Sequence, residues 1–596
     1  MIGPAPSAHG GGRATATRAE RGAPALVSLV AGLTVLGPGL VPGYLLLRDM
    51  VFVPSPPLTP RLLGLGHETP RAVPSDLVVA LASQLVPGHV VQKALLVGVF
   101  VAAGVGAARL APRPVWARCA AALVAVWNPY VGERLAMGQW ALLVGYAAVP
   151  WVVLGTGRVA RARSGGLPLA LGLVVAGLGG AAAWVLVCLA GVGAVAGVAV
   201  STRDLLGPLR RCVRWVPLAA AVALPWAVPA LTRPPGVGSD PAGFEVFAPG
   251  SDTPLGVVVS LLSGGGAWNA DVVPPGRDSL AGAAGAVLLL GWSVAGYVLT
   301  RRHRTRTAEP AASDLRAPVL GAGVLGLGVA LVSLGGGGLA WMADVPGGGL
   351  LRDGARESGT WVLVLAVGAS WGMAWLLGTG MPRTARVVVS LLPVAALPGL
   401  AWGLGGTLGS IWYPQDVLQV ARQADGSGGP GALVVLPFEA VRAYAWNDAR
   451  PSLTPWSRIV ARRVVASSDL VVRTPQGVRT VAGEDAYATA VRSALDGPHP
   501  AEQLAGLGIG LVVVDRPGTA APEGSTAVTV GSDAGLYRLP EPPGGAPAAT
   551  SDQDPPVAPV VVGDVVALAA GVVAVALAAR SRRRGVEMSD TRPGIG

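Results

Sequence analysis

The sequence predicts an α-helical polytopic membrane protein of about twelve transmembrane helices, followed by a small C-terminal extracytoplasmic α/β domain. Three observations predict it. Hydrophobic residues fill 52% of 596 positions, charged residues fill 13%, and mean hydropathy is +0.55, whereas soluble domains carry about 25% charge. Apolar stretches of bilayer length recur along the chain. The short loops between them are alternately arginine-rich and arginine-poor.

A helix needs roughly 20 apolar residues to cross the hydrocarbon core. Candidate spans lie at 24–47, 90–111, 114–130, 140–157, 167–180, 182–200, 214–232, 280–300, 316–339, 358–378, 384–405 and 558–579. With residues 1–23 as a cytoplasmic tail, this count puts every arginine cluster on one side. Arg13, Arg18 and Arg21 precede the first span; later clusters are Arg158/Arg161/Arg163, Arg210/Arg211/Arg214, Arg301/Arg302/Arg304/Arg306 and Arg580/Arg582/Arg583/Arg584. That is the positive-inside pattern, and it also accounts for the net charge of +11 without a nucleic-acid partner. The expected location is the plasma membrane, multi-pass, with both termini cytoplasmic. Between 167 and 200 two short helices meeting at Gly179-Gly180 are the weakest point of the count. The first span is too long, and too continuous with the polytopic sequence after it, for a cleaved signal peptide.

The multispan region thus covers 24–405, with extracytoplasmic loops at 48–89, 131–139, 233–279 and 340–357. Composition changes at 406–556, where strand-like Ala432–Leu436 and Leu511–Val514 flank a helix-like segment from Glu484 to Leu495. Pro542 to Pro559 reads as a linker to a terminal transmembrane helix at 557–580, with 581–596 as a cytoplasmic tail. Asp552-Gln553-Asp554 in that linker resembles the DxD of nucleotide-sugar transferases, but a linker cannot fix a metal.

Several chemistries are unsupported. No Gly-rich segment ends in Lys-Ser or Lys-Thr, so no P-loop exists. His9, His67, His89, His303 and His499 are scattered, and Cys119, Cys188 and Cys212 lie in or beside spans, so neither a zinc site nor a disulfide framework is indicated.

Three polar segments could carry chemistry. Arg48-Asp49 follows the first span, and a carboxylate fixed at the membrane surface can act as a general base whose pKa apolar surroundings raise; the alternative is an ordinary polar helix end. The segment Trp127 to Trp140 is a short hairpin dense in polar and aromatic groups. Asn128-Pro129 stops a helix, Glu133 and Arg134 either pair or bind ligand, and Trp127, Tyr130 and Trp140 suit the membrane interface. An arginine there can hold a lipid phosphate bidentately. Leu351 to Glu357 puts two arginines and two carboxylates on an outer loop, against the charge bias, as either an anion site or local pairs. The 233–279 loop carries Asp240, Glu245, Asp252, Asp271 and Asp278 with no spacing that fixes a site, and reads as a cover over the acceptor side.

On these residues the chain resembles the GT-C superfamily of polyprenyl-phosphate-sugar-dependent membrane glycosyltransferases, closest to actinobacterial arabinofuranosyltransferase-like and YfhO-like membrane proteins. The resemblance is carried by Asp49 after the first span, by Asn128 to Gln139, by Leu351-Arg352-Asp353, and by Leu436-Pro437-Phe438-Glu439 with Tyr444 to Asp448. It implies cell-wall biogenesis: a polyprenyl-phosphate-linked sugar donor, an envelope glycan or lipid acceptor and the lipid bilayer as partners. Asp49 would be the catalytic base; Arg134 and Arg352 would hold the donor phosphate. Asn128, Tyr130, Glu133, Gln139 and Asp353 would support them. No metal is required if arginines stabilise the leaving phosphate, although some superfamily members use a divalent cation. One departure matters: many members carry paired acids after the first span, and here Asp49 lies between Arg48 and Met50, with Glu68 and Asp76 as weaker substitutes. The competing readings are a lipid or polysaccharide transporter and a non-catalytic envelope assembly protein. In the α/β domain Tyr413, Tyr444, Trp446 and Trp456 either stack on sugars or form core.

Overall fold

A computed structural model describes residues 18–66, 70–233, 239–302, 313–345, 347–427, 431–474, 477–516, 518–541 and 555–590. His9, Arg13, His67, Glu68, His303, Arg304, Arg306 and the Asp552–Asp554 motif lie outside the described residues.

All twelve expected apolar segments contain helix, but they are not twelve equal spans. Among the described residues eight helices are long and apolar enough to cross a membrane: Gly22–Leu40, Gly88–Leu110, Trp140–Ala160, Gly180–Thr202, Leu280–Thr300, Arg316–Asp344, Gly354–Gly378 and Val557–Ser581. Two more pass only as pairs of helices, Leu206–Ala221 with Leu224–Thr232, bent by 63°, and Arg383–Ala396 with Pro398–Gly406, bent by 70°. Proline explains both breaks: Pro225 starts the second half of the first pair and Pro398 that of the second, each lacking the N–H a continuous helix needs. The remaining two are short. Val115–Val126 has 12 residues and is bounded by Pro114 and Asn128-Pro129, and Gly166–Leu178 has 13 and ends at the hinge Gly179-Gly180, where Gly180 is left-handed (φ +79°).

The first span is shorter than 24–47. Its helix ends in a 3-10 turn at Gly37–Leu40, and Pro42-Gly43 then turns the chain into an extended segment, Tyr44 to Val53. Small residues set the helix packing. A Cβ on Gly193 would lie 2.5 Å from the Gly321 carbonyl oxygen, and one on Gly321 would lie 2.1 Å from that of Gly193. Gly180–Thr202 and Arg316–Val332 therefore touch backbone to backbone, as small residues permit in bilayers. The terminal helix lies on the outside, with Gly563 against Leu224 and Val228, and Gly571 against Val174; most of its large apolar side chains are exposed, a surface suited to lipid.

The C-terminal region holds a five-stranded mixed sheet in the order Thr526–Val530, Gly535–Arg538, Ile509–Val514, Ala432–Leu436, Val464–Val465. The first three strands are antiparallel and the last three parallel. The expected helix is Ala486–Leu495, with Asp485 as N-cap accepting from the Tyr487 and Ala488 amides at 2.9 and 3.2 Å. Beneath the sheet Asp515 is fully used: Arg442 pairs with one carboxylate oxygen, and Tyr444 Oη and Trp456 Nε1 each donate to the other at 2.9 Å. Tyr413, Tyr444 and Trp456 are buried, and Trp446 stacks on Tyr444 with centroids 4.6 Å apart. Of the two readings of these aromatics, the core reading describes Tyr413, Tyr444 and Trp456.

The segment Tyr44 to Val53 clamps the two parts together. Tyr44–Leu45 pairs antiparallel with Ser410–Ile411, Asn447 Nδ2 donates to the Leu46 carbonyl at 3.0 Å, and Tyr413 Oη donates to that of Phe52 at 2.9 Å.

Candidate active site

The 127–140 segment is not an exposed hairpin. Residues 127–138 are all buried, with an eight-residue helix, Pro129–Ala136, at their centre. Asn128 caps it: its Oδ1 accepts from the Val131 amide and its Nδ2 donates to the Val124 carbonyl, both at 2.9 Å. The aromatics expected at the membrane interface are interior instead. Trp127 Nε1 donates to the Leu397 carbonyl at 3.0 Å, and Tyr130 Oη to that of Arg356 at 2.8 Å. A Cβ on Gly359 would fall 2.7 Å from the Tyr130 ring, so only glycine lets the ring seat there.

Arg134 is wholly enclosed. Its Nη1 meets Asp353 Oδ2 at 3.0 Å and Gln139 Oε1 at 3.1 Å, with the guanidinium 5.3 Å from the centre of the Tyr130 ring. Only Nη1 is engaged, and the buried Nε has no partner among the described residues, but the side chain is 1% exposed, so a phosphate reaches it only if the surrounding side chains move. Arg356 completes the group, with Nε 3.0 Å from the same Asp353 oxygen and its side chain 23% exposed. One carboxylate thus joins a buried arginine to one that reaches solvent.

Glu133 faces the other way, toward the 239–279 loop. Its Oε2 accepts from the Ala267 amide at 3.2 Å, and it lies against Asp252, which in turn accepts from Arg277 Nε at 3.1 Å. Gly265 fits between them: a Cβ there would overlap Asp252 Oδ2 at 1.8 Å and approach Glu133 Oε1 to 3.0 Å. Glu133 Oε1 and Asp252 Oδ1 are buried with no other partner. Desolvation first, and the Asp252 carboxylate second, push the Glu133 carboxyl well above the ordinary range. The Glu133 carboxyl is thus biased toward its protonated form beside Asp252. The loop is more than a cover: it is bolted to the hairpin through this acid pair and Arg277.

Asp49 has a different character. Arg48, in the left-handed region (φ +47°), turns the chain, its backbone tied to Pro451 and Leu453 and its guanidinium donating to the Ala136 carbonyl at 2.9 Å. On the other flank Gly138 (φ +74°) presses so close that a Cβ would lie 2.3 Å from Leu47 O and Met50 N. Every residue from Tyr44 to Val53 is buried except Arg48, which is half-buried, and Asp49, which is exposed. The Asp49 carboxylate makes no side-chain hydrogen bond among the described residues. Desolvation by the protein around it nevertheless pushes its pKa up, against the pull of Arg356, Arg71, Arg458 and Arg48. Asp49 is thus an exposed carboxylate on a buried stretch of backbone, held between the hairpin at Gly138 and the α/β region at Pro451–Leu453.

Arg352 turns toward the α/β region. It donates to Glu484 Oε1 at 3.2 Å over the Phe247 ring, and burial lowers its pKa to about 10. Glu484 also takes Ser239 Oγ at 2.9 Å and faces Arg71 at 3.6 Å. Asp76 is occupied by Arg458 at 3.0 Å and Arg61 at 3.8 Å, which removes it as a free base. The structure therefore brings Tyr130, Arg134, Gln139 and Asp353 into one network with Arg356, whose charge also acts on Asp49, while Asn128 only caps the hairpin helix; Glu133 and Arg352 belong to adjoining clusters. Sequence reasoning assigns no individual role to Arg356, Asp252, Arg277 or Glu484. Their signal is only charge in otherwise apolar surroundings. Among the described residues no group of three or more His, Cys, Asp or Glu side chains is placed to hold a metal ion.

No family model and no curated protein matches the sequence. By structure the chain is similar to the arabinofuranosyltransferase AftD from Mycobacteria, with a TM-score of 0.57 and 17% identity over 91% of this chain and 40% of that one. A mutant of the same enzyme gives 0.55 and 17% over 88% and 42%. The chain thus spans about two fifths of the length of these solved structures, and the likeness is one of fold. The apolar helices of membrane-spanning length, the strand-bearing region after them and this likeness together show a multi-pass helical membrane protein that shares the fold of these solved structures.

Proposed function

We propose that the chain is an integral membrane glycosyltransferase that moves a sugar from a polyprenyl-phosphate donor to a cell-envelope glycan or lipid acceptor, using Asp49 as base. In this reading residues 406–556 and the 48–89, 131–139, 233–279 and 340–357 segments lie on the extracytoplasmic face of the plasma membrane, with both termini cytoplasmic. The observation that carries the proposal is the Asp49 carboxylate, exposed, without a side-chain hydrogen bond among the described residues and in the field of Arg356, Arg71, Arg458 and Arg48.

An acceptor hydroxyl attacks the anomeric carbon while its proton passes to Asp49; the bond from that carbon to the phosphate oxygen breaks, and polyprenyl phosphate leaves with the electron pair. A raised pKa suits the carboxylate to accept a proton near neutrality. The leaving phosphate needs accessible cations, which Arg356 offers better than Arg134. Arg134, Asp353 and Gln139 are positioning residues that hold Arg356 and the hairpin.

The test is transfer of radiolabelled sugar from a panel of polyprenyl-phosphate donors by membranes containing wild type or Asp49→Asn at matched expression. Loss of most transfer in the variant supports the reading. Equal transfer moves the base elsewhere, and no transfer by wild type across the panel favours a transport or assembly role.

A further inference from the structure

The membrane-spanning part of the terminal helix, Val557–Ser581, carries a single carboxylate, Asp564. Centring these 25 residues on a hydrocarbon core about 30 Å thick, at about 1.5 Å per residue, puts Asp564 about 7 Å below the boundary at the Val557 end. Among the described residues it makes no hydrogen bond or ion pair, one of its oxygens is buried without a partner, and no charged group acts on it. Its surroundings are one-sided. Val560 is buried and Gly563 packs on Leu224 and Val228, whereas Val561, Val565 and Leu568 are 40%, 61% and 72% exposed. Asp564 thus stands at the seam between the face of the helix that packs on the bundle and the face left open. Ionisable side chains inside a span are costly, and almost always pair or face water. Long lysine and arginine side chains escape by reaching the interface; the single methylene of aspartate does not allow it.

We propose that Asp564 receives a transmembrane helix of a different membrane protein, which presents an arginine or lysine at this depth and packs on Val561, Val565, Leu568 and Val572. These exposed residues alternate at intervals of four, three and four along the helix, the spacing of a seam between two helices. Charge decides the occupant. A second copy packed about a twofold axis brings another carboxylate to the same depth and no cation. Lipid phosphates are anionic, and lipid amines lie in the headgroup layer above the hydrocarbon. A basic side chain on a partner helix supplies the missing charge within the core. The inference is independent of the glycosyltransferase reading and goes beyond it.

The experiment reconstitutes the full chain, fluorescently labelled, in phosphatidylcholine liposomes with an acceptor-labelled leucine-alanine peptide of the same 25-residue length. The peptide carries arginine at the matching depth, or leucine in its place, and association is read as energy transfer. Wild type is expected to bind the arginine peptide about tenfold more tightly than the leucine peptide. Asp564→Leu is expected to lose that preference with Tm unchanged or raised, since the carboxylate has no partner among the described residues of its own chain. Equal association of wild type with both peptides, or the same preference in Asp564→Leu, overturns the proposal. A fall in Tm in Asp564→Leu also overturns it, by assigning the carboxylate to the fold of its own chain. So does energy transfer between differently labelled wild-type chains that Asp564→Leu abolishes, which makes the occupant a second copy.

Discussion

Asp353 serves two arginines and Arg134 only one acid, which makes the two ends of this buried pair unequal to mutation. Removing one partner of a buried ion pair costs about 3–5 kcal/mol because the other is left uncompensated. Arg134→Met belongs at the low end, since Asp353 keeps Arg356 at 3.0 Å. Asp353→Leu belongs at the high end, because it strands Arg134, whose side chain is 1% exposed, together with Arg356. The double variant is expected to recover part of that loss: with Arg134 gone, Arg356 is 23% exposed and can turn to water. At about 2 °C per kcal/mol for a large chain, the single variants lose roughly 6 and 10 °C in Tm. The assay is thermal unfolding of detergent-solubilised protein at one fixed scan rate, since membrane proteins of this size unfold irreversibly. The reasoning is refuted if Asp353→Leu is no worse than Arg134→Met, or if the double variant is worse than Asp353→Leu. A direct phosphate-binding role for Arg134 would instead leave Tm in place and raise the donor KM.

The same geometry sets three further outcomes. Because burial and Asp252 push the Glu133 carboxyl up in the folded chain, the stability it contributes is full below its ordinary carboxylate range and falls as pH rises toward its raised folded value, by about 1.4 kcal/mol per pH unit. Glu133→Gln keeps a donor to Asp252 and flattens that slope, which Tm measured from pH 5 to 9 checks; identical slopes in both proteins would contradict it. Gly138→Ala places a Cβ 2.3 Å from Leu47 O at a positive φ, so it should lower Tm and also transfer, by displacing Asp49. For Asp49 itself, raised by burial, the acid limb of the pH profile should lie above the ordinary carboxylate range and vanish in Asp49→Asn.

The helical architecture was legible because bilayer thickness dictates the length of apolar runs, and the arginine bias marked their ends. The errors came from prolines and glycines inside apolar text. Pro42-Gly43 stops the first span well before 47, and Pro225 and Pro398 split two others, yet hydropathy barely registers them. The polar hairpin stood out in composition but was misread as exposed, because its partners are distant: Asp353 is 219 residues from Arg134, and Ala267 is 134 from Glu133. Arg352 and Arg356 look equivalent in sequence. Only the 3-10 turns between them send one to Glu484 and the other to Asp353. Asp49 is visible as a lone carboxylate after a span, whereas its surroundings depend on the clamp of residues 44–53 between hairpin and α/β region, which no local pattern encodes.

The central claim is that Asp49 is the base, and the most direct measurement is kcat for sugar transfer by purified wild type and Asp49→Asn of equal Tm. Loss of a positioned base predicts a fall of about 10²–10⁴ in kcat with little change in donor KM. An Asp49→Asn protein that folds as well as wild type and transfers within about twofold of its rate would contradict the account.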